Sequence, residues 1–246
     1  MKKKTSTNIV SILTIILVLI GFFFIYQWYK ENDKNNELKD NLIRTSLQKE
    51  EKEKYPYITT DLSNLIKQNS DTIGWIKVPN TEINYPVVQT TDNKYYLNYD
   101  FEKKENTAGW IFLDYRNRLD NSDDNYIIYG HNRLDDSMFG TLKKTMEEEW
   151  YKNNKYIYFN TTNSYLTYEV FSIYSIDKDE FKSNINSISE EKYEEYLKVS
   201  LRRSIYDFNV ELTTNDKIIT LYTCDNDNEN RTILQAKLVQ EKDATK

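Results

Sequence analysis

Lys217-Ile218-Ile219-Thr220-Leu221-Tyr222-Thr223-Cys224 is an apolar, β-branched run ending on the single cysteine of the chain, and the polar stretch Asp225-Asn226-Asp227-Asn228-Glu229-Asn230 follows it. Arg231 then opens a second apolar run, Thr232 to Val239. Runs of this kind, bounded by turn-forming residues, read as strands. If the two pair as an antiparallel hairpin, the loop returns Arg231 close to Cys224. A residue at a strand-to-loop junction lies at the rim of a sheet, where sites are commonly built. A lone cysteine is as readily a buried, inert small hydrophobe, so position alone leaves both roles open.

The single histidine narrows the choice. His131 follows Tyr126-Ile127-Ile128-Tyr129-Gly130 and so also ends a strand-like run. A cysteine nucleophile needs a proton acceptor and donor of near-neutral pKa, which imidazole supplies. It also needs a donor for the developing oxyanion, which a guanidinium supplies. Asp225, Asp227 and Glu229 oppose thiolate formation, whereas Arg231 favours it. With one Cys and one His, disulfides and multi-thiolate or multi-histidine metal sites are excluded, and no cofactor is expected.

Outward from the cysteine run, further short strand-like runs occupy Gly74–Val78, Ile83–Gln89, Trp110–Leu113, Tyr126–Tyr129, Tyr156–Phe159 and Tyr165–Ile173. Pro79-Asn80 and Asp120-Asn121-Ser122 are typical of the turn signals between them. Three helical stretches are expected: a short one from Thr60-Asp61-Leu62, one from Met138 to about Asn153, and one from about Ser189 to Ser204. Many short strands with few helices suggest a closed or nearly closed β-barrel decorated by helices. Net charge is −6, which argues against a nucleic-acid partner.

The N-terminal stretch differs in texture. Lys2, Lys3 and Lys4 precede an apolar run from Ile9 to Ile25, and Tyr26, Trp28 and Tyr29 follow it. About 20 apolar residues span a bilayer core, and flanking aromatics favour its interface. The basic cluster predicts a cytoplasmic N-terminus and an exported remainder. A cleaved signal peptide is the alternative, disfavoured by the bulky Phe22–Tyr26 where a small-residue cleavage site would stand. The expected organisation is a cytoplasmic N-terminus (1–7), a transmembrane anchor (8–29), a helical stalk or extension (30–55) and one catalytic domain (56–246). Residues 30–55 carry Leu38, Leu42, Ile43 and Leu47 on a narrow stripe, readable as a packed helix or as a solvated spacer.

Thr220-Leu221-Tyr222-Thr223-Cys224 with Arg231 resembles the TLxTC signature of sortases and the arginine that follows it, and Tyr129-Gly130-His131-Asn132 resembles their histidine segment. Gly74-Trp75-Ile76, Tyr85-Pro86-Val87-Val88-Gln89, Asp92-Asn93 with Tyr96-Leu97, Phe112-Leu113-Asp114-Tyr115-Arg116-Asn117 and Met138-Phe139-Gly140 are similar to class B sortases in particular. The resemblance covers about Asp61 to Val239. It implies a mainly β fold, an eight-stranded sortase barrel with peripheral helices, outside the membrane of a Gram-positive bacterium.

The implied reaction cleaves a sorting motif near the C-terminus of a secreted protein, often Asn-Pro-x-Thr-x in class B. It passes through a thioacyl-enzyme and joins the protein to an amine of a cell-wall peptide. By motif position Cys224 is the nucleophile, His131 the general acid and base, and Arg231 the oxyanion or carbonyl donor, while Asn93, Leu97, Tyr222 and Asp225 line the substrate groove. Tyr222 departs from the small residue, such as Ser, common at its position. No aspartate-proline lid, C-terminal transmembrane segment or class A calcium site is evident. The competing readings are another cell-wall cysteine peptidase, or a catalytically silent anchored binding or scaffold protein.

Overall fold

The computed structural model describes residues 2–46, 48–52, 54–120, 122–181, 184–186, 189–224 and 230–244, with side chains from Ile9 onward and Cys224 excepted. The chain divides into two compact units, Met1–Asp40 and Asn41–Lys246. The first is helical: α1 runs over Lys2–Thr45, and its apolar part is long enough to cross a membrane. Within the second unit the end of α1 buries Leu42, and the chain leaves the helix at Ser46, whose backbone N–H donates to the Leu42 carbonyl. Two short strands follow, β1 (Lys49–Glu51) and β2 (Tyr57–Thr59), paired antiparallel. The charged Lys-Glu-Glu of β1 carries little strand propensity, and Tyr57-Ile58-Thr59, though β-prone, is too short a run to stand out in the sequence.

After the short helix α2 (Ser63–Gln68) come eight strands. These are β3 (Thr72–Lys77), β4 (Asn84–Val88), β5 (Phe112–Leu113), β6 (Asn125–His131), β7 (Tyr156–Thr161), β8 (Ser164–Asp177), β9 (Ile218–Cys224) and β10 (Asn230–Asp243). They close into a barrel in the order β10-β8-β7-β3-β4-β5-β6-β9. The mainly β, eight-stranded barrel expected from the sequence is therefore the fold. Closure removes the exposed edges of the sheet. Trp75, Ile76, Val87, Ile111, Leu113, Ile128, Phe139, Phe159, Leu221 and Leu234 are among the buried side chains of its core.

Two pairings are parallel: β4 with β5, consecutive strands joined by a long crossover, and β6 with β9, which lie far apart in sequence. The rest of the barrel is antiparallel, including the β9–β10 hairpin.

The stretch from Met138 to Asn153 is not one helix. Met138 takes a positive φ of 53° and gives its N–H to the Tyr85 hydroxyl. A 3-10 turn covers Leu142–Met146, Glu147 is extended, and α3 spans only Glu148–Asn153. The break lets Phe139 and Leu142 be buried while Trp150 turns its indole N–H to the Pro79 carbonyl, 2.8 Å away. A straight helix would present these side chains on fixed faces, so tertiary burial overrides the helical pattern. By contrast α4 (Glu190–Arg203) begins where capping predicts, with the Ser189 hydroxyl accepting from the Lys192 N–H.

Candidate active site

Strands β6 and β9 lie side by side in parallel register, Ile127 with Thr220, Tyr129 with Tyr222, and His131 with Cys224. On the other side of β9 runs β10, with Ile233 opposite Tyr222. The pairing is carried one step further by the Thr232 N–H, which donates to the Thr223 hydroxyl at 2.9 Å. Arg231 lies two residues beyond Ile233 on β10, toward the end of β9 that carries Cys224, and pairs on its other side with Ile176 of β8. Three adjoining strands thus bring His131, Cys224 and Arg231 to one rim of the barrel. Because register partners share a face of a sheet, the three positions lie on the face that also carries Tyr129, Tyr222 and Ile233. Asp225 lies outside the described residues.

Arg231 is buried, and its guanidinium donates to the Asn230 carbonyl at 3.3 Å. The His131 ring is half-buried, with Nε2 2.8 Å from the carbonyl oxygen of Leu97. Leu97 closes the 3-10 turn Tyr95–Leu97, which the Trp110 N–H anchors through the Tyr96 carbonyl at 2.8 Å. One partner of the imidazole is therefore a backbone carbonyl, which no side-chain motif announces.

Beside this turn, the Asn93 amide is committed at both ends. Its Nδ2 donates to Asp114 Oδ2 at 3.0 Å, and its Oδ1 accepts from the Tyr115 N–H at 2.9 Å. The fully buried Asp114 side chain also accepts from the Tyr129 hydroxyl at 2.9 Å and from Arg116 Nε and Nη2 at 2.9 and 2.7 Å. Burial alone would raise this carboxyl, but the hydrogen bonds from Arg116, Tyr129 and Asn93 outweigh it and hold the group below the usual carboxylate range. The same pairing pushes the Arg116 guanidinium up. Asp114 ties the end of β5, the loop carrying Asn93, and β6 two residues before His131. Its segment is visible in the sequence, but its linking role is not.

Tyr222 is buried between Tyr129 and Phe181, with ring centroids 5.6 and 4.3 Å away. Phe181 comes from the segment between β8 and α4, and sequence reading gave it no role. Farther from the rim, α4 covers the same sheet face. Gln235 donates to the Tyr196 hydroxyl at 2.8 Å, Thr220 donates to Asn125 Oδ1 at 2.9 Å, and Ser172 donates to the Ser200 carbonyl at 2.6 Å. Tyr193 and Leu197 add apolar contact with Phe171 and Ile218.

The sortase domain family matches residues 76–239. Sortase B of Staphylococcus aureus (strain NCTC 8325 / PS 47) is 31% identical over 243 residues, 98% of this chain and 99% of the relative. Sortase B of Listeria monocytogenes serovar 1/2a is 35% identical over 185 residues, 74% of this chain and 75% of that protein. Among solved structures, sortase B from Bacillus anthracis in complex with AAEK1 aligns with a TM-score of 0.77 at 31% identity, over 86% of this chain and 99% of that one. The S. aureus sortase B–substrate complex aligns with a TM-score of 0.70 at 34% identity, over 73% of this chain and 84% of that one. With the barrel and these likenesses together, the chain belongs to the sortase family, within its class B, and is a sortase-type transpeptidase.

Proposed function

We propose that the protein is a membrane-anchored cysteine transpeptidase that cleaves a C-terminal sorting motif in secreted proteins and joins them to an amine of a cell-wall precursor peptide. The observation that supports this reading is the pairing of His131 with Cys224 across the parallel β6–β9 register, with Arg231 on the adjoining strand β10. The Cys224 thiolate attacks the carbonyl carbon of the scissile peptide bond, and Arg231 stabilises the resulting oxyanion. Collapse breaks the C–N bond as His131 gives its proton to the leaving amine, leaving a thioacyl-enzyme. The acceptor amine then attacks the thioester, passes a proton to His131, and the new amide leaves as the Cys224 thiolate is released.

Tyr222, Tyr129 and Phe181 supply an apolar wall along the groove, and Leu97 stands at its rim. Asn93 acts by bracing that wall through Asp114 and Tyr115 rather than by offering its own amide. Asp225, next to the nucleophile, is kept as a groove residue on the resemblance alone. The α1 helix and the Lys2–Lys4 cluster support a single-pass anchor in a Gram-positive cell membrane, with a cytoplasmic N-terminus and an extracellular catalytic domain. The organisation follows: 1–7 cytoplasmic, 8–29 in the membrane, 30–55 an extension and 56–246 catalytic.

The test is a ligation assay with a panel of sorting-motif peptides and an oligoglycine or diaminopimelate-type amine. A ligated product with wild type and none with Cys224→Ala is expected. Equal product from the Cys224→Ala variant would reject the mechanism.

A further inference from the structure

The loop that precedes β5 carries an unexplained glycine. Gly109 has φ +58°, and a Cβ built there would lie 2.5 Å from the Tyr96 carbonyl oxygen, 2.8 Å from the Leu97 carbonyl oxygen and 3.0 Å from His131 Cδ2. Two of these neighbours are backbone atoms, which cannot rotate away. The third is the ring carbon adjacent to Nε2, the nitrogen 2.8 Å from the Leu97 carbonyl. Gly109 therefore packs, without a side chain, against both partners of the hydrogen bond between the imidazole and the Leu97 carbonyl. Its position is set locally by its own N–H to the Asn106 carbonyl at 3.1 Å and by the Trp110 N–H to the Tyr96 carbonyl at 2.8 Å.

A carbonyl oxygen only accepts hydrogen bonds. The Nε2 atom must then carry its hydrogen whether the ring is neutral or charged, and proton gain and loss fall to the other nitrogen. We infer that Gly109 and the Leu97 carbonyl form a seat that holds His131 as the Nε2–H tautomer, making Nδ1 the nitrogen that exchanges protons during transpeptidation. Gly109 is a positioning residue in this scheme, acting through His131. On acylation the Nδ1–H proton passes to the leaving amine, and on deacylation the attacking amine returns a proton to Nδ1. The inference deepens the transpeptidase reading and rests on it for the reaction, but not for the tautomer.

Because the chain has a single histidine, ring-¹⁵N histidine labelling of the full chain in detergent reports His131 alone. Two-dimensional correlation of ring nitrogens and carbon-bound protons, followed up in pH until the ring is neutral, distinguishes the tautomers. Nε2 in the protonated form and Nδ1 in the unprotonated form is the expected result; the reverse would overturn the inference.

Gly109→Asn adds the Cβ while tolerating a positive φ better than other residues. In a folded variant the tautomer should become mixed or reversed, with kcat lower by about tenfold or more and KM little changed. A folded Gly109→Asn protein with the wild-type tautomer and kcat would also overturn the proposal. If that variant does not fold, the wild-type spectrum decides alone. Failure of Cys224 to form any peptide adduct, with the Nε2–H tautomer present, would count against the transpeptidase mechanism and leave the seat standing.

Discussion

Arg231 and Asp114 are both buried charges, and they serve different ends. Arg231, on the strand beside that of Cys224, is the proposed oxyanion donor. Arg231→Ala should mainly lower kcat, by about 10²–10³-fold as for other lost oxyanion donors. An effect confined to KM in steady-state peptide cleavage would mean ground-state binding instead. Asp114 is structural, and its depressed carboxyl couples folding to pH. A group that titrates lower in the folded state than at its unfolded value of about 3.9 contributes stability that is complete above that value. The contribution is lost as pH falls through the folded pKa. Urea unfolding of wild type should therefore lose stability below about pH 4 more steeply than Asp114→Asn, which should also be weaker at pH 7. Parallel pH slopes for the two proteins would contradict that role.

Cys224 and His131 were legible in the sequence because the thiol and imidazole are single and each ends an apolar run, and Arg231 because it opens the next one. The Leu97 carbonyl and the space above Gly109 were not, since backbone atoms and missing side chains leave no motif of their own. Asn93 was picked out, but only the structure reveals both ends of its amide bound to Asp114 and Tyr115.

Helix α4 is held to the sheet by a buried polar set as well as by apolar contact. Thr220 lies at its centre, donating to Asn125 Oδ1 and accepting from Gln235 Nε2 at 3.2 Å. Thr220→Val keeps the shape and strands the Asn125 oxygen, so stability should fall by about 1–3 kcal/mol. Denaturant unfolding measures this, and an unchanged midpoint would show the set to be energetically idle. The bounds of α4 were readable from Ser189, the acidic first turn and the Tyr193–Leu197 stripe, all local signals. The Met138–Asn153 stretch misled because Phe139, Leu142 and Trp150 satisfy a helical period while being buried on separate pieces of chain.

At the scale of the molecule, each barrel strand was visible as an apolar run. The order in which they join was not visible from periodicity. The parallel β6–β9 pairing joins residues far apart in the chain, and only that pairing sets His131 beside Cys224. The N-terminal helix belongs to the same scale. The full chain should sediment with membranes and resist extraction by high salt, whereas a version beginning at Asn41, the start of the second compact unit, should remain in the soluble fraction. Recovery of a mature protein from the medium starting after residue 30 would instead indicate cleavage of the leader.

The most direct test of the central claim is intact-mass spectrometry of the protein mixed with sorting-motif peptides and no acceptor amine. A mass increase equal to the acyl fragment, mapped to Cys224, lost on treatment with hydroxylamine and absent from Cys224→Ala, is the predicted result. A folded protein that cleaves the peptide with no adduct on Cys224, or that forms an equal adduct in the Cys224→Ala variant, would contradict the account.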